Sequence, residues 1–124
     1  MKKTSTKSRS KALFIAGLIE DKKAEDITIL DVREISNVTD YFIICTGNST
    51  RQNKAVAEHV IEQLKARKQR IWHVEGLVSG EWVLLDGADV VVHIFTPELR
   101  RFYELEKLWA NAAKIGLSGN AKKK

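Results

Sequence analysis

Three groups of residues could support catalysis if their spacing allowed it. Gly47-Asn48-Ser49 follows an apolar run and precedes a helical pattern, which is where nucleotide phosphates meet helix N-termini. Neither Gly-x-Gly-x-x-Gly nor Gly-Lys-Ser/Thr is present, and a glycine with a capping serine is an ordinary strand-to-helix turn. Asp86 and Asp89 could hold a metal for phosphoryl transfer. Side chains share a strand face at i and i+2, however, so a separation of three across a glycine turn does not present both from one face, and as turn formers both aspartates are explained. Asp31 and Asp40 could add carboxylates, but no spacing ties them to that pair. His59, His73 and His93 are spread over a helical segment and two strand segments, and Cys45 stands alone, so no zinc-binding Cys-x-x-Cys or His-x-x-x-His pattern exists. His93 reads as a hydrogen-bonded structural histidine and Cys45 as a small hydrophobe. No metal or cofactor is expected.

What remains is aromatic and charged surface. Trp82 follows Glu81 at the start of a strand, and Arg100, Arg101 and Tyr103 stand early in a helix. Trp, Tyr and Arg dominate interface centres, so these residues suit a partner-binding face. Trp82 carries two readings, since a tryptophan on a half-buried sheet also belongs to a core.

The elements that must position these residues follow from periodicity. Leu13, Ile15, Ala16, Leu18 and Ile19 predict a short first helix, which Gly17 weakens and the charged segment from Glu20 to Asp26 ends. Ile27 to Val32 and Tyr41 to Thr46 read as strands, the second apolar throughout as a strand covered on both faces should be. Ser49 and Gln52 form a capping-box pattern before Ala55, Val56, Ala57, Val60, Ile61 and Leu64, and Lys65, Arg67, Lys68 and Arg70 gather where a helix C-terminus favours cations. Ile71 to Val74 is a short strand. Glu81 to Leu85 and Val90 to Phe95 are two more, joined by the tight-turn signal Asp86-Gly87. Thr96 and Pro97 open a last helix, with Leu99, Phe102, Leu105, Leu108, Trp109 and Ala112 at threes and fours until Gly116. The order α, β, β, α, β, β, β, α implies an α/β fold, a mixed sheet with helices packed on it and at least one parallel crossover.

Size and charge agree with a single domain. A chain of 124 residues with 44% apolar composition can bury one real core, and two would each be marginal. A single cysteine forms no internal disulfide, and no apolar run approaches the ~20 residues of a membrane span. A cytoplasmic protein without membrane contact is the expectation. The net charge of +5 is unevenly placed: Lys2, Lys3, Lys7, Arg9, Lys11, Lys122, Lys123 and Lys124 face no acid nearby, while Ala12 to Ile115 holds 13 bases against 16 acids. The basic character is thus assigned to tails, a disordered one over 1–9 and another over 116–124 flanking a domain at 10–115. An acidic body argues against a dedicated nucleic-acid surface and leaves polyanion contact as an auxiliary role of the tails.

Several blocks together resemble the ribosomal silencing factor, or Iojap-related, family: Thr39 to Gly47 followed by Ser49 to Arg51, then Val74-Glu75-Gly76, Glu81-Trp82, Asp86 with Gly87 to His93, and Arg100 to Trp109. The resemblance spans roughly residues 10 to 110. It implies a nucleotidyltransferase-like α/β domain without demonstrated catalysis. It also implies binding to large ribosomal subunit protein fourteen at the intersubunit face, which blocks subunit association and represses translation under nutrient limitation. Organelle relatives act in large-subunit biogenesis. By the same resemblance Trp82 is the leading contact, with Glu81, Asp86 and Asp89 as acidic neighbours for a basic ribosomal protein, and Arg100, Arg101 and Tyr103 serving binding, packing or self-association as a homodimer when free. The alternatives are a cryptic nucleotidyltransferase, a biogenesis factor, and an auxiliary ribosomal RNA contact through the tails.

Overall fold

The structure, a computed structural model, describes residues 5–103, 107 and 112–115. Its elements are α1 (Ser5–Asp21), β1 (Glu25–Asp31), β2 (Tyr41–Thr46), α2 (Thr50–Ala66), β3 (His73–Glu75), β4 (Trp82–Asp86), β5 (Val90–Phe95), α3 (Pro97–Tyr103) and β6 (Ala113–Ile115). The strands form one sheet ordered β3-β4-β5-β2-β1-β6. β2 and β5 pair in parallel, and the remaining neighbours pair antiparallel. The crossover through α2 carries the chain past β5 and β4 to the far edge of the sheet before β4 and β5 fill the gap.

Strand alternation sorts the side chains into two layers. Tyr41, Ile43 and Cys45 of β2, Val90, Val92 and Ile94 of β5, and Val83 and Leu85 of β4 pack with Ala12, Ile15, Ile19, Val56, Val60 and Leu64 of α1 and α2 as the main core. The opposite face carries a smaller cluster of Leu30, Val32, Ile44 and Phe95, against which Phe42, Trp82, Leu99 and Ala112 pack. The apolar run of β2 and the fully buried β5 are what two covered faces require.

α1 begins at Ser5, inside the stretch assigned to a disordered tail. Ser8, Ala12, Ile15 and Ile19 are all buried at spacings of four, three and four, so the helix stripe extends backwards through a small serine. Charge patterning hid this because Lys7, Arg9 and Lys11 occupy the other sides of the same turns. At the other end, residues 113–115, read as helix, form β6 on the outer edge of β1. Pairing Ile29 with Ile115 and Asp31 with Ala113 satisfies backbone groups that an open edge would leave to water, and this outweighs a helical period. Leu105, Leu108, Trp109 and the 116–124 tail lie outside the described residues.

Two turns also differ from their sequence signals. The β4–β5 connection bends at Ala88, whose φ is +77°, and not at Gly87. Gly87 is buried, and a side chain there would crowd the Val90 carbonyl and Lys11 Nζ. At the start of α2, Ser49 Oγ accepts the Gln52 N–H at 3.1 Å, while Gln52 Oε1 reaches one residue further back than the capping pattern implies and accepts the Asn48 N–H at 2.6 Å.

Candidate functional site

Trp82 opens β4 on the minor face of the sheet. The register places it opposite Phe95 and sets Leu84 opposite His93, so Trp82 and His93 are diagonal neighbours on one face. The indole is half-buried. Its ring centroid lies 4.9 Å from that of Phe95 and 4.7 Å from that of Tyr103 in α3, and its Nε1–H donates to His93 Nδ1 at 3.1 Å.

His93 is 6% exposed, with Phe42 edge-on at 5.5 Å. Burial lowers its pKa to about 4, so the ring is neutral at physiological pH, and because Nδ1 accepts, its proton sits on Nε2. The imidazole is thus a structural acceptor that orients the indole.

The residues singled out from sequence divide between the two ends of β4. Glu81, Trp82 and Tyr103 gather at its start, with Glu81 exposed and its carbonyl accepting the Thr96 N–H at 3.0 Å. Arg101 is exposed on α3. Arg100 turns the other way: its guanidinium donates to the Asp26 carbonyl at 2.6 Å, to Thr46 Oγ1 at 2.9 Å and to Thr28 Oγ1 at 3.3 Å, tying α3 to the irregular start of β1. Asp86 and Asp89 lie at the far end of β4. Asp86 accepts the Ala88 N–H at 2.8 Å, and Asp89 pairs with Lys11 Nζ at 2.8 Å. The acidic neighbours expected around Trp82 are therefore not brought together with it, except for Glu81.

The groups with catalytic potential have packing explanations. A Cβ at Gly47 would stand 1.9 Å from Asn53 Oδ1, so this glycine admits a buried side chain whose Nδ2 donates to the Gly80 carbonyl at 2.8 Å. Asp31 is held by Arg33, whose Nε and Nη2 donate at 2.8 and 2.6 Å, and this pairing keeps its carboxyl below the ordinary carboxylate range. Burial pushes the Cys45 thiol up to about 12, so it is not nucleophilic at neutral pH. Among the described residues, no three His, Cys, Asp or Glu side chains come together as metal ligands, and no helix is long and apolar enough to cross a membrane.

Two relationships escaped sequence reasoning. The Trp82–His93 bond was legible in principle, because counting outward from the hairpin turn puts both residues on one face. The Arg100 clamp had no local signal, since its acceptors lie more than fifty residues away in sequence.

Residues 5–124 match the family model described as ribosomal silencing factor during starvation. The chain is 45% identical over 97 residues to the ribosomal silencing factor RsfS of Bacillus subtilis (strain 168), covering 78% of this chain and 82% of that one. It is 35% identical over 99 residues to the mouse protein named mitochondrial assembly of ribosomal large subunit protein 1, covering 77% of this chain and 43% of that one. A crystal structure of a Chromobacterium violaceum protein superposes with a TM-score of 0.80 at 37% identity, covering 93% of this chain and 95% of that chain.

Proposed function

This chain belongs to the ribosomal silencing factor family, and we propose that it works by binding, seating on large ribosomal subunit protein fourteen at the intersubunit face so that the small subunit cannot join. Translation then falls under nutrient limitation without any bond being made or broken. The observation that carries the reading is the Trp82 cluster. A large indole, partly exposed and fixed by Phe95, Tyr103 and His93, is a preorganised anchor of the kind that dominates interface energetics. Glu81, next to it in the chain and exposed, suits a basic ribosomal protein, and Arg101 adds an exposed charge on α3. Arg100 acts behind this surface by holding α3 in place.

A role in large-subunit assembly is a second reading, supported by the name of the mouse relative. Auxiliary contact of the terminal basic residues with ribosomal RNA and a homodimer in the free state complete the proposal. Sedimentation with separated ribosomal subunits tests it: the protein should travel with the large subunit and reduce joining when the small subunit is added. Comigration with the small subunit, or normal joining at saturating protein, would sink the anti-association reading.

A further inference from the structure

We propose that the end of the sheet opposite Trp82 carries a folded RNA-binding surface, made by α1, the end of α2 and the α2–β3 connection, that grips phosphates at Lys7 and Arg67 and stacks an unpaired base on Trp72.

Lys7 and Arg9, assigned to a disordered tail, are in place on α1. Lys7 lines a cleft of about 480 Å³ with Phe14 of α1 and Arg67 at the end of α2. The Arg67 guanidinium lies 4.2 Å over the Phe14 ring, which holds it at the cleft wall. One acid, Asp89, also lines this cleft, and its carboxylate is already met by Lys11 Nζ at 2.8 Å. The lining is therefore net positive, although the chain between Ala12 and Ile115 is net acidic.

Next to the cleft stands an aromatic group that the core does not use. Trp72 is 63% exposed, and the Arg70 guanidinium lies 4.0 Å over its ring. Both features are anchored to the same turn: the Trp72 N–H donates to the Asp86 carbonyl at 2.7 Å, and Lys11 Nζ donates to the Gly87 carbonyl at 3.0 Å. Cations at a helix C-terminus satisfy its dipole, but that need explains neither a tryptophan left in water nor the lysine from α1. Guanidinium and ammonium groups beside an exposed indole are the combination that binds single-stranded RNA, with charge on the backbone and a ring for the base. An acidic peptide offers no base to Trp72, and a membrane needs a larger apolar surface.

The surface is separate from the Trp82 cluster, because the strand from Trp82 to Asp86 spans about 13 Å. Its test needs no ribosomal protein, so its outcome is independent of the silencing reading.

Fluorescence anisotropy with a short, unstructured, uridine-rich RNA, measured on the full chain over a range of salt, decides the matter. Arg67→Glu with Arg70→Glu should weaken binding about tenfold or more and flatten log K against log salt by ~0.7 for each phosphate no longer neutralised. Trp72→Ala should weaken it at least about fivefold and leave the slope unchanged, as removal of stacking does. Lys7→Glu checks the charge effect without disturbing the Arg67–Phe14 stack. Replacing Lys122, Lys123 and Lys124 by alanine should leave most of the affinity. Lys7→Glu and Trp72→Ala should melt with the natural chain, since both residues are exposed, while Arg67→Glu with Arg70→Glu should lose a little stability through the helix dipole and the Phe14 contact and stay folded at the assay temperature. Unchanged binding by the Arg67/Arg70 and Trp72 variants, weakening confined to the Lys122–Lys124 variant, or equal displacement of the RNA by polyglutamate would each overturn the proposal.

Discussion

Trp82 and His93 share one hydrogen bond, Nε1–H to Nδ1 at 3.1 Å, across diagonal positions of the β4–β5 hairpin. The bond satisfies the only polar atom of the indole and commits His93 to a single neutral tautomer. The indole is therefore already oriented in the free protein, and in the interface proposed above less side-chain entropy would be lost on covering it.

Trp82→Ala should weaken binding to the isolated ribosomal protein by at least ~2 kcal/mol, about thirtyfold in dissociation constant. Because the ring is half-buried against Phe95 and Tyr103, some folding stability goes with it, but less than the ~3 to 5 kcal/mol of a core Trp→Ala change. Trp82→Phe separates the two effects. It keeps an aromatic ring and leaves His93 Nδ1 without a donor, which should cost ~1 to 3 kcal/mol of stability. Calorimetric titration paired with melting curves reads both quantities, and unchanged affinity in Trp82→Ala would remove this residue from the interface.

Stability should fall as pH drops from about 6.5 towards 4. In that window the unfolded chain protonates His93 while the folded one, with its pKa near 4, does not, so protons favour unfolding. The decrease at the acid end is about 3 kcal/mol. Asp31 adds its own decrease only lower, as pH falls below the ordinary carboxylate range, because its folded pKa is also depressed. Urea unfolding at a series of pH values should show the slope in the natural chain and a flatter one in His93→Gln. A slope that persists unchanged in the variant would assign it to other groups.

Ala88→Gly should stabilise the fold by up to about 1 kcal/mol. Ala88 sits at φ +77°, where a Cβ is strained and glycine is not, and it is exposed, so little packing is removed. Gly87→Ala should do the reverse, since its Cβ would come 3.1 Å from the Val90 carbonyl. Thermal melts of the two variants should move in opposite directions.

No nucleotidyl transfer is expected with Mg²⁺ or Mn²⁺. Asp86 and Asp89 are used by the turn and by Lys11, and Gly47 is closed on by Asn53. Incubation with labelled nucleoside triphosphates should give no product, and turnover abolished by Asp86→Asn or Asp89→Asn would overturn the binding-only reading.

Local patterns were enough for most of the architecture. β2, α2 and β5 were legible because apolar period and capping act over a few residues and every neighbour agrees with them. The turn at Asp86-Gly87 was legible as a turn, but which residue takes the left-handed conformation was not. That choice depends on Lys11 and Val90 packing against Gly87, an arrangement made only after folding.

By itself the sequence determined the layers, the strand-helix order as far as α3, the family blocks and the surplus of cations at the N-terminus. Tertiary structure decided what those groups are for. It turned a charged tail into the first turns of α1, since a stripe from Ser8 to Ile19 gains its stability only against the sheet, and it set Arg67 over Phe14 and Arg70 over Trp72. It split Asp86 and Asp89 from Trp82, because a strand separates its ends by the rise of every residue between them, and it drew Arg100 inward to β1. Each of these depends on through-space distances between residues far apart in the chain, which the periodicity of a sequence does not encode.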